Sequence, residues 1–414
     1  MYFITRRIQQ FLPALIVIAL LMTPAILMVN NWMSLPAWLT SSLNWLPYLI
    51  MVLALMLCVV FYNSREFCLF LTMLCVYILL QTLLWPETKG INKTTLYNLI
   101  GLVLALNFVL FNFMKERGLL NSHGGNKLFI LSIEFLACFW LIKSKQAALA
   151  SFLALGFIPE PDFINKLAGS PLLLVWTASL VLFAIHQYIN PGLLRGAWGL
   201  TLLGLIIGLN FTGKPIITSI YFVISSLILI TAIIIHAYHL AYRDELTQLP
   251  SRRALKQQLL SLGRDYSIAM VDVDHFKKLN DTYGHDVGDD VLKMLAMQLR
   301  TVAGGGRPFR YGGEEFTLVF PNTEASEASL YLDVLREKIA NKKLTIRHHG
   351  RPRKKPQNRK RRGKAKDINI SISVGLAEKT DKHRSPQDVI KAADNALYKA
   401  KEGGRNRVVV AKHR

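Results

Sequence analysis

Residues 311–316 read Tyr-Gly-Gly-Glu-Glu-Phe, two adjacent carboxylates behind a pair of glycines. The glycines allow a turn of any backbone shape. Glu314 and Glu315 then stand at the tip of a hairpin, between the strand-like Pro308–Tyr311 and the apolar return of Phe316 and Leu318–Phe320. Such a tip lets backbone approach a phosphate while the acids hold a divalent cation. A second acidic position closes the apolar run Tyr266–Val273. There Asp272-Val273-Asp274 offers carboxylates and free main-chain carbonyls, all hard oxygen ligands. Taken singly, these and other polar residues have plainer readings. Asp272 could cap a helix, and Asp289 with Asp290 could face a helix dipole at its start. Lys401 and Arg405 could do so at a helix end, His285 could be structural, and Glu314 with Glu315 could form a solvated turn.

Pattern reading supplies the elements that must position them. A helix is expected from Pro250-Ser251 to about Leu262, then the strand Tyr266–Val273 and a helix from about Asp286 to Thr301. The hairpin 308–320 and an amphipathic helix over Thr323–Ala340 come next. A strand begins at Leu344–Arg347, is interrupted by a basic insert, and continues as Ile368–Gly375 with clean period-two alternation. A helix over Ser385–Lys401, closed by Gly403-Gly404, and a last strand over Arg407–Ala411 complete the set. Strands and helices mix without strict alternation, which fits a mixed sheet covered by helices, of the ferredoxin-like kind.

This α/β part is only residues 243–414. The whole chain has 414 residues, is 52% hydrophobic and has a mean hydropathy of +0.30, too apolar for one soluble domain. Residues 1–242 read as a multi-span helical membrane domain. Its eight candidate spans, give or take one or two, are Phe11–Val29, Leu46–Tyr62, Phe67–Trp85, Leu96–Met114, Leu128–Ile142, Pro171–Tyr188, Ala197–Phe211 and Ile216–Leu240. The fifth and seventh are short, and Gln146–Phe157 reads as an interfacial stretch. Arg6 and Arg7 before the first span place the N-terminus in the cytoplasm, in agreement with Lys115, Arg117, Lys127 and Arg195 and against Lys143 and Lys145. An even count returns the α/β domain to that side. Cys58, Cys68, Cys75 and Cys138 all lie in apolar spans and read as buried free thiols. One acid, Glu134, lies within a span and is a sensing candidate.

The formal charge of +22 is concentrated in residues 347–366, which hold eleven Lys or Arg and no acid. With Pro352, Pro356, Gly350 and Gly363 among them, they read as a loop-like insert. On a membrane-tethered domain it faces anionic headgroups or is simply solvated; no specific nucleic acid is expected as partner.

Several motifs in order make residues 243–414 resemble the GGDEF-domain diguanylate cyclases. They are Arg243–Arg253, Asp272–Asp289, Tyr311–Phe316, Ile370–Gly375 and Ala393–Asn406. The resemblance implies a ferredoxin-like, palm-type fold in a membrane-anchored enzyme that condenses two GTP into cyclic di-GMP and two pyrophosphates. It further implies a homodimer in the inner membrane, in contact with its lipid, with one GTP per monomer and a cytoplasmic catalytic domain. Two Mg²⁺ ions per site are implied, with Mn²⁺ as the alternative. Asp272, the carbonyl of Val273, Glu314 and Glu315 would hold metal. Glu314 and Lys277 would serve catalysis. Asn280 and Asp289 would read the guanine with His285 beside them, and Lys401 and Arg405 would hold the outer phosphates. The chemistry agrees: pyrophosphate departure requires hard ligands for metal and cations for the remaining phosphate charge.

Three departures stand out. Gln248 replaces the usual Gly and Ser251 the usual Asn of the opening motif. Ala303 and Gly306 occupy the frame of an Arg-x-x-Asp inhibitory site, so no charged pair is present there. The basic insert is unusual and has no role assigned by the resemblance. Two rivals remain: a non-catalytic GTP-binding module fused to a sensor, and a transporter or receptor with a regulatory tail. Intact Glu314 and Glu315 oppose the first, and the single acid within a span opposes the second.

Overall fold

A computed structural model describes residues 28–29, 31–86, 93–143, 171–211, 213–346 and 366–412. The expected span Phe11–Val29 falls almost wholly outside these, as do the stretch Gln146–Phe157 and residues 347–365 of the basic insert. The chain divides into two compact units, Met1–Ala237 and Tyr238–Arg414.

The first unit contains helices α1 (Ala37–Val60), α2 (Ser64–Leu79, continued by a π-helical turn Leu80–Leu84), α3 (Lys93–Phe113) and α4 (Ser122–Lys143). After these come α5 (Pro171–Ile189), α6 (Leu193–Asn210) and α7 (Pro215–Tyr242), whose last residues belong to the second unit. Among the described residues these seven are long and apolar enough to cross a membrane. The two spans expected to be short extend to 22 and 18 residues, because flanking polar residues such as His123 and Arg195 continue the helical turns.

Small residues set the closest approaches, as is usual where helices pack in lipid. A Cβ on Gly101 would meet Leu172 and Trp176, and one on Gly208 would meet Tyr221. Thr201 and Ser225 exchange hydroxyl-to-carbonyl bonds of 3.3 Å between α6 and α7. Tyr77 Oη lies 2.8 Å from Ser219 Oγ, joining the end of α2 to the start of α7.

Glu134 does not stand alone as an acid in a span. Helix α2 starts at Ser64, so Glu66 lies within it, fully buried, with neither carboxylate oxygen hydrogen-bonded. The early start has a cause outside the segment. Glu116, in the loop after α3, accepts from Ser64 N at 3.1 Å, Ser64 Oγ at 2.6 Å and Arg65 N at 3.0 Å. It thereby caps the free N–H groups of α2 from across the bundle. All four cysteines are free; Cys58 and Cys68 are buried, Cys75 and Cys138 half-buried.

The second unit holds α8 (Arg252–Leu260), β1 (Tyr266–Val273), α9 (Phe276–Tyr283), α10 (His285–Leu299), β2 (Arg307–Arg310), β3 (Glu315–Pro321) and α11 (Ala325–Ala340). It continues with β4 (Lys343–Ile346), β5 (Lys366–Asn369), β6 (Ile372–Glu378), α12 (Pro386–Glu402) and β7 (Val408–Val410). The main sheet runs β2-β3-β1-β6-β7. Its pairs are antiparallel except β6 with β7, a mixed sheet of the ferredoxin-like, palm-type kind.

β1 lies at the centre with every residue buried, so its side chains alternate between two covered faces. Ala269, Val271 and Val273 meet Val291, Leu295, Leu332 and Leu335 of α10 and α11. Ile268 and Met270 meet Leu255, Leu259, Val389 and Leu397 of α8 and α12. Asp272 shares the parity of Met270 and therefore the α12 face.

Two expectations need correction. The run Ile368–Gly375 is not one strand. Its first part is β5, paired with β4 in a separate ribbon, and the second is β6 of the main sheet. The break falls at Ile370-Ser371, where Ser371 O accepts from Asp274 N at 3.0 Å and its hydroxyl turns to the Asp274 carboxylate. Helix α9 was not anticipated at all. It has only eight residues and one fully buried apolar side chain, Phe276, too little for a periodic signal.

Candidate functional site

The hairpin β2–β3 turns through Tyr311–Glu314, closed by Tyr311 N and Gly312 N on Glu315 O at 2.9 and 3.1 Å. Arg310 holds this tip from beneath. Its guanidinium donates to Gly312 O at 3.1 Å, Gly313 O at 2.7 Å and Asp244 Oδ1 at 2.6 Å. Asp244 in turn accepts from Thr247 N and Oγ1 at 2.7 and 2.6 Å. The opening motif is thus tied to the tip. Burial works to raise the Asp244 carboxyl, but Thr247 and Arg310 outweigh it and hold it below its ordinary range. Arg252 adds a second hold, its guanidinium 4.4 Å from the Tyr311 ring centre.

Register brings the acids together. Asp272 faces Glu315 across β1–β3, so both side chains lie on the same face of the sheet. Lys401, from the end of α12, places Nζ 2.9 Å from Asp272 Oδ2. Helix α12 comes that close because Gly375 of β6 lies against its backbone; a Cβ there would stand 2.1 Å from Ala393 O and Leu397 N. Burial pushes the Asp272 carboxyl up, with Lys401 pulling it back and the Asp274 charge adding to the rise. Burial also raises Glu314, followed by the charge of Asp272, while Lys401 opposes and Glu315 adds. Arg405 contributes a further positive charge toward Asp272. A cavity of about 330 Å³ opens beside Glu315, lined by Met270, Tyr311, Gln387, Lys391 and Asp394.

Among the described residues no group of three or more His, Cys, Asp or Glu side chains is gathered to hold a metal ion. Asp272 is engaged by the Lys401 ammonium. The donor chemistry nevertheless fits a divalent cation: the oxygens are hard, and the carboxylates repel one another in a partly desolvated place. Val273, the expected carbonyl ligand, ends β1 and is buried.

The residues expected to read a base sit on the α9–α10 hairpin, outside the acidic cluster. Asn280 Oδ1 is buried and has no hydrogen-bond partner. It lies against Gly288, where a Cβ would approach it to 1.9 Å. A buried acceptor left open in this way is what a donor-bearing ligand edge would satisfy. His285 and Asp289 are exposed on the first turns of α10, and Lys277 is exposed on α9.

Where the inhibitory frame falls, Ala303–Gly306 form a tight turn, with Gly304 and Gly305 both at φ +66°. A side chain at Gly306 would meet the Phe320 and Val302 side chains at 2.7 Å, so an acid there would require them to shift.

Arg310 was given no role from sequence, and Asp274 was read only as one of the hard oxygen ligands at the end of the run Tyr266–Val273. Arg310 reads as an ordinary strand residue, and only its position before the Gly-Gly turn hints at a clamp. Asp274 is buried and accepts from Ser371 Oγ and Ser373 Oγ, each at 2.6 Å, and from Asn406 N at 3.0 Å. Its alternation with Asp272 was the available signal.

Residues 241–407 match the family described as diguanylate cyclase, GGDEF domain. The response regulator PleD of Caulobacter vibrioides is 36% identical over 182 residues, which cover 42% of this chain and 37% of that protein. Diguanylate cyclase DgcM of Escherichia coli is 35% identical over 181 residues, covering 42% and 39%. The match thus spans less than two fifths of either relative. Among solved structures, the coiled coil and GGDEF domain of DgcB from Caulobacter crescentus, in complex with c-di-GMP, is 33% identical. It aligns with 43% of this chain and 90% of that one at a TM-score of 0.37.

Proposed function

We propose, from the premise that residues 241–407 form a GGDEF domain, that this chain is a membrane-bound diguanylate cyclase. It joins two GTP molecules into cyclic di-GMP where two copies meet, under control of its helical membrane domain. What carries the reading is Asp272 set opposite Glu315 on one face of the sheet, with the Lys401 ammonium on Asp272 and the Asp272 charge acting on Glu314 at the tip.

In each half-reaction the ribose 3′-oxygen of one GTP bonds to the α-phosphorus of the other. The bridging bond to the β-phosphate breaks, pyrophosphate leaves, and the hydroxyl proton passes to solvent. Repetition in the other direction closes the ring. Asp272, the Val273 carbonyl and Glu314, with Glu315, are the residues to hold magnesium or manganese. Bound there, such an ion would supply a lowered pKa for the attacking hydroxyl and charge neutralisation for the phosphates. Lys401 then exchanges its carboxylate partner for phosphate oxygens, and Arg405 binds beside it. Lys277 stabilises developing charge. Asn280 offers its open acceptor to the guanine edge, with Asp289 and His285 at the rim. The Arg310 clamp keeps the tip carbonyls fixed while the acids change partners.

The test is GTP turnover by the full chain in lipid nanodiscs with magnesium. Formation of cyclic di-GMP and two pyrophosphates is expected, and Glu314→Ala should abolish it while the chain stays folded. A folded wild-type chain that holds GTP and releases no cyclic product would sink the proposal.

A further inference from the structure

We infer that Asp274 is a positioning residue for Arg405, setting how the site holds the outer phosphates of its nucleotide without touching them; the inference rests on the cyclase reading for the role of Arg405. Both acceptor oxygens of Asp274 are in use. Oδ1 takes the Ser373 hydroxyl, and Oδ2 takes the Ser371 hydroxyl and the Asn406 N–H. The side chain is buried at the end of the central strand. That strand is paired on both edges.

The loop it grips is under strain. Arg405 and Asn406 are consecutive non-glycine residues at φ +63° and +45°, the left-handed region that L side chains disfavour. Such a pair persists only where neighbouring structure imposes it. Arg405 N donates to Ala400 O at 3.0 Å, which ties the loop to its own helix. The bond from Asn406 N to Asp274 ties it to the sheet. Asp272 in β1 and Asp274 just past its end therefore fix the two cations at and just beyond the end of α12. Asp272 holds Lys401 directly, and Asp274 holds Arg405 through the adjoining peptide. With three donors already on its oxygens, Asp274 is committed to this framework and not to a metal.

Nucleotide binding separates positioning from a general structural role. Calorimetry on the full chain in nanodiscs, with magnesium, would compare α,β-methylene-GTP with GMP, which lacks the outer phosphates. Asp274→Ala should weaken the triphosphate about tenfold, the scale of one charge-assisted hydrogen bond, and GMP less than about twofold. In an Arg405→Ala background the same change should add less than about twofold, because coupled residues are not additive. Asp274→Asn turns an N–H₂ group toward donors, keeps the shape, and should act in the same direction by a smaller factor. It carries the test if the alanine variant does not fold. Equal weakening of both nucleotides, or a tenfold effect that persists without Arg405, overturns the inference. A chain that prefers triphosphate through Asp274 yet forms no cyclic product would end the cyclase reading and leave this one standing.

Discussion

Asp272 and Glu314 keep their protons more tightly in the folded chain than at their ordinary values of 3.8 and 4.5, burial being the first cause for each. Their ionisation therefore opposes folding. The stability they lend is complete below those ordinary values and is lost as pH rises through the raised ones. Glu314→Gln should accordingly raise the melting temperature at neutral pH, while turnover falls by on the order of 10²-fold or more. Added magnesium should stabilise the wild type and leave the variant unmoved in a thermal melt. A variant that melts lower than wild type would show that Glu314 is not under repulsion. Gln248 offers a prediction of the opposite kind. It sits at φ +56°, held by its Nε2 on Glu245 O at 2.8 Å. A left-handed residue costs about 1–2 kcal/mol and glycine about 0.5–1 in chain entropy. Gln248→Gly should then stabilise by about 0.5–1 kcal/mol, a shift of about 1–4 °C that differential scanning calorimetry resolves. At this scale the dense motifs singled out Glu314, Lys401 and Asp272, and the structure sets Lys401 on Asp272 with the charge of Asp272 acting on Glu314. The Arg310 clamp escaped because two of its partners are main-chain carbonyls and the third, Asp244, lies 66 residues away, and the framework role of Asp274 escaped because two serines and an amide carry no signature of their own.

Among the elements, α2 shows how a helix can depend on a distant residue. Its first N–H groups are satisfied by Glu116, which also accepts from Arg117 N at 3.0 Å and Gly118 N at 2.9 Å. Burial works to raise this carboxyl, but Ser64 and the Arg65, Gly118 and Ser64 amides outweigh it and hold it below 4.5. The stability it provides is present above that ordinary value and is lost as pH falls through the lowered one. Glu116→Gln should cost about 2 kcal/mol, the scale of charge-assisted bonds to a partly buried acceptor. Melting of the detergent-solubilised chain should show the deficit at pH 7 and lose it well below 4.5, because the wild type then surrenders the same bonds. A deficit unchanged by acid would mean that Gln loses shape and not charge. No pattern in residues 60–66 announces this cap, since its acid lies 51 residues on. Long periodic elements such as β1, α10 and α12 were legible to within a few residues. The division of 368–375 into β5 and β6 was not, because period-two alternation runs straight through a break made by Asp274 and Ser371.

For the whole molecule the physical question is how two nucleotides meet. The proposed site has one set of acids to hold metal and one pair of cations for phosphate, sufficient for one triphosphate, whereas a cyclic dinucleotide needs two held face to face. Residues 243–251 do not form a long coiled coil that could bring copies together: Ser251 N bonds back to Tyr242 O at 2.8 Å, and Arg243 pairs with Pro250 in a single bridge. On the cyclase reading we expect the membrane helices to bring copies together, since confinement to a bilayer raises the effective concentration of one copy near another. Half-exposed apolar side chains such as Trp45, Leu136, Phe139 and Leu182 leave ample surface for lipid or for a second copy. Nanodiscs loaded with one chain or with two separate these outcomes at equal total protein. Single-copy discs should bind GTP and form cyclic product at least about tenfold more slowly, rising with disc concentration as collisions between soluble units replace confinement. Two-copy discs should be active and insensitive to dilution. Full activity in single-copy discs at every dilution would mean that one chain completes the reaction unaided, and association in the membrane would then have no part in catalysis.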